Sequence, residues 1–108
     1  CYCIGGYGER SNKYIVELIC KILDKRKTDK APHSNLIEFV KDRPGHDKRY
    51  SIDSSKIQNE LGWKSNYKLE DSIEYTVDWY LKNIEWLRKI QKKSKYYGQR
   101  IGQIHNNN

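Results

Sequence analysis

Apolar residues return at helical spacing in three stretches of this chain, and those stretches set the expected architecture. Ile15, Leu18, Ile19 and Ile22 follow an i, i+3, i+4, i+7 pattern, which gathers side chains on one helix face. Ser11 or Asn12 stands just before them, with a side-chain oxygen able to accept an orphan backbone N–H. A helix is therefore expected from that point to about Arg26. Leu69, Ile73, Val77, Tyr80, Ile84 and Leu87 form a second stripe, flanked by Trp79 and Trp86, with a bend or break expected near Asn83. Between these, Asp53 is placed to cap a helix over Ser54 to Leu61, and Gly62 to stop it. Three short runs read instead as extended: Tyr2-Cys3-Ile4, Leu36 to Val40, and Arg49 to Ile52. Their β-branched and aromatic residues suit a pleated surface. Lys25 to Ser34 is polar, contains Pro32 and reads as a surface loop. The expected class is α/β, mostly helical with a few short strands.

Asp42-Arg43-Pro44-Gly45-His46-Asp47 separates two of the extended runs. Proline presets φ and glycine accepts a positive φ, so a Pro-Gly pair builds a defined turn. A defined loop that carries arginine, histidine and aspartate suits a bound anion. Arg43 and Arg49 are candidates for phosphate contacts, because a guanidinium meets phosphate oxygens as a two-pronged fork. Either could equally form a structural ion pair with Asp42, Asp47 or Asp53, and composition does not separate the two readings. His46 by itself reads as a hydrogen-bonded structural residue. Gly5-Gly6-Tyr7-Gly8 lies between an extended run and a helix, but it departs from the G-x-G-x-x-G dinucleotide fingerprint. It reads as a turn, although Asn12 and the helix N-terminus beside it favour anions.

The bulk composition narrows these readings. With 108 residues, 36% hydrophobic and 32% charged, the chain is sized for one small domain with a thin core. Three Trp and nine Tyr compensate in part. Methionine is absent and the chain opens on Cys1, so a piece of a longer polypeptide is expected. The net charge of +7 is spread among Asn, Tyr and Ile rather than clustered. It reads as a solvated surface rather than a nucleic-acid footprint. Cys1, Cys3 and Cys20 lack paired CxxC spacing, and His33, His46 and His105 are far apart. No metal site is expected, and the cysteines read as buried reduced thiols of a cytoplasmic protein. No apolar run approaches the roughly 18 residues of a membrane span. Neither a nucleophile triad nor an acid pair can be argued from spacing.

Three sets of residues also carry a family resemblance. These are Tyr2-x-Ile4-Gly5-Gly6-x-x-Glu9-x-x-Asn12; then Asp42-Arg43-Pro44-Gly45-His46-Asp47-x-Arg49-Tyr50-x-Ile52-Asp53-x-x-Lys56-Ile57 with Glu60-Leu61-Gly62-Trp63; and Thr76-Val77-x-Trp79-Tyr80. Over about residues 2 to 100 the chain resembles the C-terminal part of the dTDP-glucose 4,6-dehydratases. That family belongs to the extended short-chain dehydrogenase superfamily, whose epimerases and other dehydratases share looser versions of the same motifs. Tyr7-Gly8 stands where relatives often carry His-Asn.

The resemblance implies a substrate-binding C-terminal region, here residues 1–100, followed by a disordered tail at 101–108. The Rossmann domain that binds NAD and carries the catalytic residues would be absent from this chain. It implies that Asn12, Asp42, Arg43, Pro44, Gly45, His46 and Tyr96 contact a nucleotide-sugar, with Arg43 on the diphosphate. In the complete enzyme, dTDP-glucose would become dTDP-4-keto-6-deoxyglucose and water in a cytoplasmic homodimer. Catalytic, cofactor and metal residues are expected to be lacking here, and neither nucleic acid nor membrane is an expected partner. A related nucleotide-sugar epimerase or dehydratase, a non-catalytic homologue with a surviving pocket, or a basic nucleic-acid-binding module are the alternatives.

Overall fold

The computed structural model describes residues 1–98. It contains four α-helices in chain order: α1 (Asn12–Arg26), α2 (Ser55–Leu61), α3 (Leu69–Lys82) and α4 (Ile84–Ser94). Two single 3₁₀ turns, Thr28–Lys30 and His33–Leu36, fill the polar connection after α1. The expected tail at 101–108 lies outside the described residues. The chain divides into two compact units, Cys1–Val77 and a second that begins at Asp78. The division falls inside α3.

Each helix boundary has a local cause. The Ser11 hydroxyl caps α1 by accepting the N–H of Tyr14 at 3.1 Å, while Lys25 and Arg26 place cations at the negative end of the helix dipole. Asp53 contributes to the start of α2 by accepting the Ser55 N–H at 2.9 Å. The helix therefore begins one residue later than expected, with Ser54 as its N-cap. These bonds hold the Asp53 carboxyl below its ordinary value, the backbone N–H of Ser55 being the larger cause. Gly62 ends α2 in the left-handed region. Asn83, with φ −114° and ψ 27°, separates α3 from α4, and its side-chain amide donates to the Trp79 carbonyl at 2.8 Å.

The expected strands are a correction. Among the described residues, Tyr2–Ile4, Ile37–Val40 and Arg49–Ile52 belong to no helix and to no sheet. Leu36 closes a 3₁₀ turn, and Ile37 beyond it has extended angles of φ −70° and ψ 122°. The propensity for extended backbone is thus satisfied, but a sheet also needs a second strand at hydrogen-bonding distance. These runs do not supply one to each other. The described fold is helical rather than α/β.

Burial is sparse. In the first unit, Cys20 and Ile22 of α1 and Ile57 of α2 are the buried apolar residues, joined by the buried polar residues His33 and Ser54. Among the described residues no large side chain is fully enclosed. Polar tethers supplement this core. Gln58 links Ser54 Oγ (2.8 Å) to the hydroxyl of Tyr7 (2.9 Å), so α2 holds the glycine-rich loop. Glu74 of α3 accepts from Arg26 at 2.8 Å. In the second unit, Trp79 packs edge-on against both Tyr80 and Trp86, with centroids 5.3 and 5.5 Å apart. The cysteine expectation is corrected as well: all three thiols are free, but Cys1 and Cys3 are exposed and Cys20 alone is buried. Cys1 and Cys3 sit in the N-terminal run, where Lys56 of α2 reaches the Cys1 carbonyl and the Tyr2 ring but both thiols stay at the surface. Among the described residues no helix is long and apolar enough to cross a membrane.

One tether has a pH signature. Asp24 Oδ1 accepts both the backbone N–H of His33 (2.8 Å) and its ring Nδ1 (2.6 Å). An ionised carboxylate can only accept, so the ring nitrogen carries the hydrogen. The backbone bond first and the ring bond second hold the Asp24 carboxyl below its ordinary value. A depressed folded-state pKa stabilises the fold above the ordinary carboxylate range, and that stability is lost as pH falls through the depressed value. Asp24→Asn is expected to lower the melting temperature at neutral pH and to flatten its decline in acid. Chemical or thermal denaturation followed by circular dichroism from pH 7 to pH 2 checks this. Identical acid slopes for the two proteins would exclude the tether.

Candidate functional site

The Pro-Gly pair forms the turn expected of it. The His46 N–H donates to the Arg43 carbonyl at 3.2 Å, and Gly45 has φ +67°. A positive φ at the third of four residues, after proline at the second, is the type II turn. The turn projects an exposed Arg43. Its guanidinium has no hydrogen-bond or ion-pair partner among the described residues. The alternative of a structural ion pair with a neighbouring aspartate is therefore not realised at Arg43.

After the turn, the chain passes the N-terminus of α1 and encloses an open cleft of about 760 Å³. One wall is Gly8, Glu9, Arg10, Ser11 and Asn12, and the other is His46 to Tyr50. The structure thus brings Asn12 and His46 to one cleft from positions 34 apart in sequence. Asp42, Arg43, Pro44 and Gly45 precede the lining rather than join it. Tyr96 lies in the second unit, after α4, half exposed, with its N–H on Ser94 Oγ at 3.3 Å.

The electrostatics of the cleft are more balanced than the overall charge suggests. Arg49 forms a two-pronged pair with Glu9, Nε to Oε1 at 2.5 Å and Nη2 to Oε2 at 2.9 Å. The ion pair that the sequence left open for Arg49 is therefore made, but with a residue 40 positions away rather than with Asp42, Asp47 or Asp53. Arg10 is also occupied, donating to the Glu9 carbonyl (2.8 Å) and to Glu70 Oε1 (3.2 Å). Its guanidinium carbon lies 5.8 Å from the Tyr14 ring centroid. Glu70 accepts from the Tyr14 hydroxyl as well, at 3.0 Å. Its own backbone N–H first, then Tyr14 and Arg10, hold its carboxyl below the ordinary value. What remains at the cleft is Lys48, the N-terminal turn of α1 and His46, with the Asp47 carboxylate on the same wall as Lys48. That first turn contains no acidic residue to offset the helix dipole.

The glycine-rich loop serves packing. A Cβ at Gly8 would meet Leu69 Cβ at 3.1 Å, and one at Gly5 would meet Ile52 Cβ at 3.1 Å. The loop is pressed against α3 and against the run before α2. It lacks the strand-turn-helix frame that cradles a dinucleotide, so the residues present do not fit NAD. Among the described residues no group of three or more His, Cys, Asp or Glu could hold a metal ion.

Glu9 is the site residue that sequence reasoning missed as a functional group. Its signal was present, since both Glu9 and Arg49 lie in the family motifs. Nothing in their spacing indicates that they meet.

The family model for GDP-mannose 4,6 dehydratase matches residues 1–76. The chain is 46% identical over 103 residues to a dTDP-glucose 4,6-dehydratase of Xanthomonas campestris pv. campestris, covering 94% of this chain and 29% of that protein. It is 45% identical over 107 residues to a dTDP-glucose 4,6-dehydratase of Escherichia coli, with 95% and 29% covered. A probable dTDP-glucose 4,6-dehydratase of Sinorhizobium fredii is 44% identical over 101 residues, with 94% and 29% covered. The chain spans about 29% of the length of these relatives.

The turn yields a prediction of its own. A Cβ at Gly45 would meet nothing within 4 Å, so substitution there is opposed by backbone conformation alone. Gly45→Ala should destabilise by about 1–2 kcal/mol, the penalty of a left-handed L-residue, and Gly45→Asn by less. Equal stability of Gly45→Ala and wild type in urea denaturation would mean that the turn is not held in this form.

Proposed function

We propose, from the premise that this chain belongs to the GDP-mannose 4,6 dehydratase family, that it is the nucleotide-sugar-binding C-terminal portion of a dTDP-glucose 4,6-dehydratase. The carrying observation is the type II turn at Arg43–His46, which leaves the Arg43 guanidinium without a protein partner beside a cleft at the N-terminus of α1. An uncommitted guanidinium on a defined turn is suited to a diphosphate, whose oxygens match its fork. The relatives named dTDP-glucose 4,6-dehydratase support the substrate class.

In this reading Asn12, Asp42, Arg43, Pro44, Gly45, His46 and Tyr96 form the substrate-contacting set. Arg43 takes the diphosphate charge, and Asn12 and His46 offer hydrogen bonds from opposite walls of the cleft. The net reaction of the complete enzyme, a lyase, removes water from dTDP-glucose to give dTDP-4-keto-6-deoxyglucose. NAD supplies the redox capacity when bound, in a Rossmann domain outside this chain. The contribution of the present residues is binding and orientation, and binding energy from remote parts of a substrate supports chemistry at the reacting centre. Residues 1–100 act as one nucleotide-sugar-binding region of a cytoplasmic homodimer that engages neither nucleic acid nor membrane. Leu36, Phe39 and Val40, 69–80% exposed, offer an apolar surface for the remainder of such an enzyme.

Two outcomes are expected. In the complete enzyme, Arg43→Ala lowers kcat/KM for dTDP-glucose by about 10- to 150-fold, equivalent to about 1.5–3 kcal/mol for bonds to a charged group. Unchanged steady-state kinetics with intact folding would make Arg43 structural. The 108-residue chain alone binds dTDP in a calorimetric titration and does not convert dTDP-glucose. Turnover by the isolated chain would overturn the division of labour.

A further inference from the structure

We propose that Glu9 is a positioning residue, gripping Arg49 across the cleft and thereby setting the separation of its two walls. The inference rests on the functional reading above.

The geometry is a fork meeting a fork: Nε to Oε1 at 2.5 Å and Nη2 to Oε2 at 2.9 Å. Two parallel bonds fix direction as well as distance, which a single contact does not. Glu9 belongs to the wall that leads into α1, and Arg49 belongs to the wall that follows the Arg43–His46 turn. Among the described residues no other hydrogen bond or ion pair joins Gly8–Asn12 to His46–Tyr50. Each wall is anchored separately: Ser11 caps α1 and Arg10 reaches Glu70, while Asp53 fixes the start of α2 beyond the other wall. The Glu9–Arg49 pair is the direct polar link between the wall residues themselves, supplementing the packing of Gly5 on Ile52 just outside the cleft.

A carboxylate in a cleft for a diphosphate is otherwise unfavourable, because like charges repel. Glu9 also takes two of the directions in which Arg49 could hold a phosphate. Both facts make sense if Arg49 is held in place by Glu9 and presents only its remaining N–H groups to the ligand. A pre-oriented donor loses less freedom on binding than a free side chain.

The charge and positioning roles of Glu9 predict opposite signs, and this makes the test decisive. The probe is dTDP, titrated calorimetrically into the full chain and its variants. If Glu9 contributed charge alone, Glu9→Gln would tighten binding. The expected result is weaker binding, by about two- to fivefold, with Glu9→Asp closer to wild type. In an Arg49→Ala background Glu9→Gln should cause no further loss, since Glu9 acts through Arg49. Both residues are more than half exposed, so folding is expected to survive, and thermal melts of each variant verify it. Slow exchange of the Arg49 Nε–H by NMR in wild type, lost in Glu9→Gln, reports the grip without any ligand. Wild-type chain that fails to bind dTDP would sink the functional reading. Wild-type binding with Glu9→Gln unchanged or tighter, or a further loss in the Arg49→Ala background, would overturn the positioning role alone.

Discussion

Helix α1 is tethered by carboxylates at both ends, and the geometry of the first unit depends on those tethers because its core cannot supply it. Near the start of the helix, Glu70 gathers the Tyr14 hydroxyl, the Arg10 guanidinium and its own N–H. Near the end, Asp24 gathers both donors of His33, and Glu74 holds Arg26. Among the described residues only Cys20, Ile22 and Ile57 are buried as apolar groups, far less than a unit of this size would bury if area alone organised it. Polar contacts of this type are individually modest when exposed. Their value here is directional: Glu70 and Glu74 fix the two ends of α1 to α3, Asp24 fixes its C-terminal end to His33, and the cleft opens at the N-terminal end so fixed.

Several local signals in the sequence were read correctly because the physics behind them was local. Ser11 caps α1 because a hydroxyl can reach an N–H three residues on, and that depends on nothing distant. Gly62 ends α2 for the same kind of reason, and Pro44-Gly45 forms its turn from the φ preferences of two adjacent residues. The break at Asn83 shows the same principle, since an amide bonded back to the Trp79 carbonyl competes with continuation of the helix. Of the candidate site, this made the turn itself and the helix N-terminus beside it legible.

What remained hidden required knowledge of partners. Leu36 to Val40 has the composition of a strand, but composition specifies a backbone preference and not a neighbour to pair with. The side chains suited to a sheet are left facing solvent, with Phe39 80% exposed. The same limit applies to charge. Asp42, Asp47 and Asp53 are near Arg49 in sequence, yet Glu9 is near it in space. A short loop with a fixed turn points its side chains outward, so chain neighbours were poor candidates for partners. Cys1 and Cys3 misled by a similar route, because cysteine is on average a buried residue and these lie in a run that belongs to no sheet and leaves both thiols exposed.

The distribution of commitments among the arginines then sorts their roles. Arg10 and Arg49 line the cleft, and each is already engaged by a glutamate. A guanidinium so engaged adds little net field, because its partner cancels most of its charge at a ligand's distance. It adds rigidity instead. Arg43 lies outside the lining, on the one element here whose conformation is fixed by its own two residues, and it has no partner to cancel it. In the proposed function, attraction for an anion and the shape of the cleft are therefore assigned to different residues: the first to the unpaired arginine on the turn, the second to the paired one behind it. In the proposed site, that separation lets an acidic residue sit in the cleft wall without defeating anion binding.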